Sequence, residues 1–139
     1  MSFDFSEINI WAALVAAVAS FIIGGLWYAV LFGKAWQKAY AFTEDDFKKM
    51  GAHPERTYPV MFICDVLTAF VVALLAMNIG IESVGGGIAL GVVLWAGIAG
   101  AITLATQLGS GRPVQGWVID TGKQLASLIV IGAIVGGWR

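Results

Sequence analysis

The chain has 139 residues, of which 59% are hydrophobic and 12% are charged, and its formal net charge is −1. Soluble domains carry about 45–50% apolar and about 25% charged residues, so the shortage of polar residues excludes an ordinary water-soluble globular protein. The balance of eight basic and nine acidic residues gives no basic field for nucleic acid, which we exclude as a partner. The composition therefore indicates a protein whose solvent is the lipid bilayer.

Four hydrophobic stretches have the length of a membrane-spanning helix, since about 20 residues cross about 30 Å of hydrocarbon. They occupy residues 8–32, 58–79, 86–108 and 117–138. Glycines, Gly80 and the run Gly85 to Gly87, make a short turn between the second and third stretches, and residues 109–113 connect the third to the fourth. Short connections force antiparallel neighbours. The predicted fold class is an all-α membrane protein, a single transmembrane domain of four helices in an up-down bundle.

Tryptophans mark the ends of these stretches. Trp117 and Trp138 would lie about 31 Å apart on one helix at about 1.5 Å per residue, which matches the bilayer core. Trp11 and Trp27 stand near the two ends of the first stretch. Because indole rings prefer the membrane–water interface, we predict all four as interface anchors.

The loop at residues 33–57 is the one sizeable connection. It contains Thr43-Glu44-Asp45-Asp46, a capping-box pattern with acidic residues in the first helical turn, and Lys48-Lys49 follow in the last turn. This pattern predicts a short helical segment lying on the membrane surface between the first two spans. A partner-docking or gating segment is the functional alternative.

The distribution of basic residues predicts the orientation. Five of them lie in the 33–57 loop and a sixth, Arg112, lies in the 109–113 connection, whereas Arg139 belongs to the opposite side. Basic residues favour the cytoplasmic side of a bilayer. We therefore expect a multi-pass protein of the bacterial inner (plasma) membrane with a cytoplasmic 33–57 loop and both termini outside.

Small residues recur every four positions on three of the stretches. The stripes are Ala12, Ala16, Ser20 and Gly24 on the first, Gly97, Ala101, Ala105 and Gly109 on the third, and Gly132 and Gly136 on the fourth. Such stripes let helix backbones approach closely in lipid. They serve either packing within one bundle or contact between subunits, and because so small a bundle encloses little space we favour a homo-oligomer.

Three ionisable residues fall inside the stretches: Asp65 in the second, Asp120 and Lys123 in the fourth. Charges at membrane depth are costly, so they pair, line water or carry function. Both stretches start from the same side of the bilayer, which puts Lys123 about as deep as Asp65 and predicts an ion pair between them.

Neutral polar residues join these charges on the same side. Gln124 shares a helix face with Asp120 and Lys123, Thr68 shares one with Asp65, and Gln107 lies near the matching end of the third stretch. The candidate ion or substrate site is therefore Asp65, Thr68, Gln107, Asp120, Lys123 and Gln124. It is either a structural network or a site for a proton, a cation or a small solute, since one of two nearby carboxylates at low dielectric should titrate near neutrality.

Enzyme chemistry finds little support. With one cysteine, Cys64, and one histidine, His53, no metal site is expected, and neither a nucleophile elbow nor a phosphate-binding loop is present. We expect no cofactor and name no catalytic residue. The leading hypothesis is proton- or cation-coupled transport of a small solute. The alternative is a non-catalytic membrane scaffold or accessory subunit, and a lipid-acting enzyme is a third class that the missing motifs disfavour.

Several short motifs resemble those of one bacterial family. They are Asn9-Ile10-Trp11, Leu26-Trp27-Tyr28, Phe32-Gly33-Lys34-Ala35-Trp36, Thr43-Glu44-Asp45-Asp46, Gly111-Arg112-Pro113, and Asp120 with Gly122 ahead of the Leu128 to Trp138 tail. On these residues the chain resembles the domain-of-unknown-function 1761 family of small bacterial membrane proteins. The resemblance implies a four-span architecture and carries no activity with it.

Overall fold

The computed structural model describes residues 2–138, and all regular secondary structure within them is helical. Four helices have the length and hydropathy of membrane spans and are called the first to fourth spans: Ile10–Leu31, Pro54–Asn78, Val84–Gly109 and Val114–Gly137. Two short helices, α1 at Gly33–Tyr40 and α2 at Glu44–Met50, fill the connection between the first two spans. The predicted all-α class with four spans is confirmed.

The fourth span is the centre of the bundle. It packs against each of the other three spans, whereas the first and third spans make little contact with each other. The core is built largely from small side chains, which include Ala16, Ala69 and Ala76. Its largest fully buried residue is Ile131. Because lipid exerts no hydrophobic pull between helices, this close approach of backbones supplies much of the attraction between the spans.

Hydrogen bonds define two ends of the bundle. At the terminal end, the Asp4 backbone N–H donates to Asn78 Oδ1 (3.0 Å), and Asn9 Nδ2 donates to the carbonyl oxygen of Trp138 (3.3 Å). At the opposite loop end, Gln107 Nε2 donates to the carbonyl oxygen of Pro113 (2.8 Å). The spans therefore alternate in direction, with both described chain ends at the terminal end.

Two helix starts differ from expectation. The second span begins at Pro54, about one turn before residue 58, because proline suits the first helical turn, where its missing N–H needs no partner. The third span begins at Val84, where Ser83 Oγ accepts from the Gly86 N–H (3.0 Å) and caps the helix. The prediction that the run Gly85 to Gly87 forms a turn was therefore wrong.

Those glycines instead allow the third and fourth spans to touch. A Cβ atom added to Gly87 would collide with the carbonyl oxygen of Gly132, and one added to Gly136 would collide with that of Ser83. The stripe on the fourth span is thus used inside the bundle. The stripe on the first span is also internal, since Ala12, Ala16 and Ser20 are buried.

The stripe on the third span behaves differently. Its four residues, Gly97, Ala101, Ala105 and Gly109, are all exposed and face away from the bundle. Gly97 lies within a wider, π-helical turn at Trp95–Gly100, and the other three residues follow it. A second such turn occupies Trp27–Leu31 at the end of the first span. This outward stripe is not accounted for by packing within one chain.

A candidate ligand cleft between the first and second spans

A cleft of about 1000 Å³ lies between the first and second spans, beneath α1 and α2. Its polar lining includes Asp65, Thr68, Asp120, Lys123 and Gln124. All but one of the six candidate site residues therefore line a single cavity. The sixth, Gln107, lies outside the lining but donates through Nε2 to the Tyr40 hydroxyl (2.9 Å), which in turn contacts the site.

The cleft exists because the second span leaves the bundle at the loop end. No residue from Pro54 to Cys64 is buried, and the first buried residue of this helix is Ala69. On the opposite wall, Gly24 and Gly25 present no side chains. The two helices touch at the terminal end and separate toward the loops, so the cleft opens both to the loop end and sideways to the surrounding hydrocarbon.

The three charged residues, which belong to the second and fourth spans, contact successive turns of the first span. Ser20 Oγ donates to Asp65 Oδ1 (2.7 Å), and Tyr28 donates through its hydroxyl to Asp120 Oδ1 (2.5 Å). Lys123 covers Gly24, midway between them, where its Cε would lie 3.2 Å from an added Cβ. Positions four residues apart are about 6 Å apart along a helix. The charges therefore form a ladder with Asp65 deepest, then Lys123, then Asp120.

The ladder explains why the expected ion pair between Lys123 and Asp65 is not formed. Within residues 2–138, Lys123 Nζ has no carboxylate oxygen within 4.0 Å, and the ion pairs that do form lie on the exposed loop. The two side chains are offset by one helical turn. Unpaired charges at membrane depth are expensive, which favours a site occupied by water or a ligand.

Asp120 has a different environment from Asp65. Its second oxygen, Oδ2, accepts from the Tyr40 hydroxyl (2.8 Å), so both carboxylate oxygens are occupied. Burial, together with this hydrogen bond, raises the pKa of Tyr40. Tyr40 ends α1 and packs on Gly116, where any side chain would displace it. Asp120 thus fastens α1 to the fourth span.

Sequence reasoning missed both tyrosines and Ser20 as partners of the carboxylates. Ser20 was assigned only to helix packing, and Tyr28 continues the same four-residue spacing that runs through Gly24. That spacing was the available signal for Tyr28. Tyr40 gave no comparable signal, because its contact with Asp120 depends on how α1 folds back over the bundle.

Two polar atoms in the cleft wall are buried without a partner, namely Trp36 Nε1, a donor, and Gln124 Oε1, an acceptor. Leaving such a group unpaired costs about 1–3 kcal/mol. Both residues line the cleft, one from α1 and one from the fourth span. Both atoms are closed off from a water-sized molecule, so a bound molecule that offers an acceptor and a donor would satisfy them once the two side chains turn toward it.

The four tryptophans predicted as interface anchors divide into two pairs. Trp11 and Trp138 are exposed at the terminal end, with exposed fractions of 72% and 45%. Trp27 and Trp117 are half-buried near the loop end, and their indole N–H groups donate to the Ile119 carbonyl oxygen and to Thr103 Oγ1, each at 2.9 Å. The second pair therefore bonds within the bundle.

Within residues 2–138, no three histidine, cysteine or acidic side chains lie close enough together to hold a metal ion. Cys64 lies exposed at the cleft, next to Asp65. It is the single cysteine of the sequence and so serves as a native chemical reporter of the cleft.

Comparison with known proteins places the chain in a family. A family model described as "Protein of unknown function (DUF1761)" matches residues 11–136, a range that includes every residue of the cleft. No curated protein and no solved structure matches the chain significantly. Because the match covers nearly the whole sequence, it confirms the resemblance drawn from the motifs. The chain belongs to this family of proteins of unknown function.

Proposed function

We propose that the protein binds a small solute in the cleft and moves it across the membrane in a step coupled to a proton or cation. The observation that carries the proposal is a loop-end cleft, inside a bundle of membrane spans, that contains an ammonium and a carboxylate with no ion pair between them. In a purely structural network each charged group is paired with another, whereas here the Lys123 ammonium and the Asp65 carboxylate remain able to bind a ligand.

Asp65 is the exchangeable carboxylate in this proposal. It accepts a hydrogen bond from Ser20 at one oxygen, whereas Asp120 has a tyrosine hydroxyl on each oxygen. Asp65 also lies deepest on the ladder. Lys123 is its partner one turn away, and Thr68 and Gln124 add neutral polar groups to the lining.

The proposed orientation places the loop end in the cytoplasm of a bacterial inner membrane. The loop end carries the basic residues of α1 and α2 together with Arg112, and the hydrogen bond from Gln107 to Tyr40 joins the two loops. The terminal end carries acidic residues, Glu7 and Glu82. Positive charge on the cytoplasmic side supports this assignment, in which the cleft opens to the cytoplasm.

A pH step tests the role of Asp65. Protein reconstituted on a solid-supported membrane should give a transient current when protons enter the cleft. Asp65→Asn should abolish that current, because an amide does not take up a proton near neutral pH. Glu82→Gln, at the terminal end and outside the cleft, is the matched control and should leave the transient unchanged. A current that persists in Asp65→Asn would contradict the proposal.

A scaffold or accessory subunit is the second candidate, and the outward stripe on the third span favours it. The same stripe supports the proposed homo-oligomer, because small residues at lipid-exposed positions suit contact with another helix. With Cys64→Ser as background, Ala101→Cys should form a disulfide-linked dimer under mild oxidation in membranes, since a disulfide requires Cα atoms within about 7 Å.

The control for this cross-link is Leu67→Cys in the same background, which places a thiol at an exposed position of the second span. It should remain monomeric on a non-reducing gel. Equal cross-linking of both variants would indicate random collision in the membrane and would remove the argument for an interface on the third span.

A further inference from the structure

We propose that the cleft binds a zwitterionic amphiphile with a primary ammonium group, an aminophospholipid of the surrounding bilayer. Its ammonium would pair with Asp65 and its phosphate with Lys123. This inference rests on the proposed function, because it identifies the molecule bound in the same cleft as a lipid of the bilayer in place of a water-soluble solute.

The charges of the cleft select for a zwitterion. Asp65 and Lys123 line one cavity but are offset by a helical turn of the first span, at Ser20 and Gly24. A simple cation would leave Lys123 without a counter-charge, and a simple anion would leave Asp65 without one. A ligand whose two charges are separated by a short chain pairs with both at once.

The unpartnered polar atoms select for a primary ammonium. Such a group has three N–H donors, enough for the Asp65 carboxylate and for Gln124 Oε1, the buried acceptor, once the Gln124 side chain turns toward the ligand. A quaternary ammonium has no N–H to offer. The buried donor, Trp36 Nε1, lies on α1 at the loop-end side of the cleft and suits a phosphate oxygen. The order of the groups is that of a headgroup inserted with its ammonium leading.

The walls of the cleft select for a lipid rather than a free headgroup. They are largely apolar, with Phe21, Tyr58, Val60 and Met61 among the lining residues. The unburied segment Pro54–Cys64 leaves the cleft open sideways, so acyl chains can extend between the first and second spans into hydrocarbon. A water-soluble ligand would leave these walls wet.

Protection of Cys64 provides the test. The rate at which a thiol reagent modifies the purified full chain in detergent is measured with and without a short-chain lipid. Phosphatidylethanolamine should slow the reaction about tenfold at about ten times its dissociation constant. Phosphatidylcholine, phosphatidylglycerol and free phosphoethanolamine should protect much less. Each variant is scored by the ratio of its own two rates, because a change at Asp65 also alters the neighbouring thiol.

Two variants assign the contacts. Lys123→Met should lose protection by phosphatidylethanolamine, and Asp65→Asn should lose the discrimination between ethanolamine and choline lipids. Glu82→Gln should behave as the unchanged chain, and circular dichroism checks that every variant is folded.

Equal protection by phosphatidylglycerol would overturn the role of the ammonium. Equal protection by phosphoethanolamine would overturn the assignment to a lipid. A reactive Cys64 that no lipid protects would overturn this inference alone, because the pH-step current reports separately on the proposed function.

Discussion

Gly87→Ala is expected to lower the free energy of unfolding by about 1–3 kcal/mol, because overpacking a close contact forces backbones apart. The added Cβ would meet the carbonyl oxygen of Gly132, which belongs to a helix backbone and cannot rotate away. The third and fourth spans must then separate along their shared contact. Thermal unfolding in detergent, followed by circular dichroism, should show a lower midpoint than the unchanged chain.

Gly85→Ala is the matched control. It makes the same substitution in the same helix, but a Cβ there has nothing within 4 Å, and alanine favours a helix over glycine. Its unfolding midpoint should be equal or higher. A Gly87→Ala protein as stable as Gly85→Ala would show that the two spans do not approach as closely as described.

Asp120→Ala is expected to release α1 from the bundle. Both tyrosine hydroxyls lose their acceptor, and hydrogen bonds to a charged group contribute about 1.5–3 kcal/mol each. Tyr40 also holds Gln107 of the third span, so its displacement disturbs the contact between the two loops. Amide hydrogen exchange of Gly33–Tyr40 should accelerate while the spans keep their protection.

Two further variants qualify that result. Tyr40→Phe removes both hydrogen bonds of the Tyr40 hydroxyl, the one to Asp120 and the one from Gln107, and should give a comparable acceleration in the same segment. Asp45→Ala removes the exposed contact with Lys49 (3.4 Å), and such pairs contribute about 0–1 kcal/mol, so exchange in Gly33–Tyr40 should not change. Unaltered exchange in Asp120→Ala would show that α1 is held by other contacts.

Hydropathy and span length were sufficient to predict the four helices and their alternation, because lipid imposes these requirements on any spanning helix. The family resemblance is confirmed as well. The convergence of Asp65, Asp120 and Lys123 followed from counting residues inward from one side of the bilayer. Depth along a helix axis is a local property, so the sequence contains it.

Contacts between helices were harder to predict. Whether Lys123 pairs with Asp65 depends on the axial register between two helices. A shift of one helical turn separates the paired arrangement from the unpaired one, and no local pattern specifies that register. The run Gly85 to Gly87 satisfies the rules for a turn, yet the Ser83 cap and the close approach of Gly132 place it in a helix. In each case the neighbouring helix determines the contact, and the periodicity of one segment contains no information about its neighbour.

The wider turn at Trp95–Gly100 has a consequence for the phase of the third span. In a regular helix of 3.6 residues per turn, the face that starts at Gly91 would continue through Ile98. Ile98 is instead exposed, and Gln107 is the residue that turns inward to reach Tyr40. One extra residue in a turn rotates everything after it by about 100°. Shortening this turn by a single residue would rotate Gln107 toward lipid and break its hydrogen bond to Tyr40, so that α1 would lose its side-chain link to the third span and keep the one to Asp120.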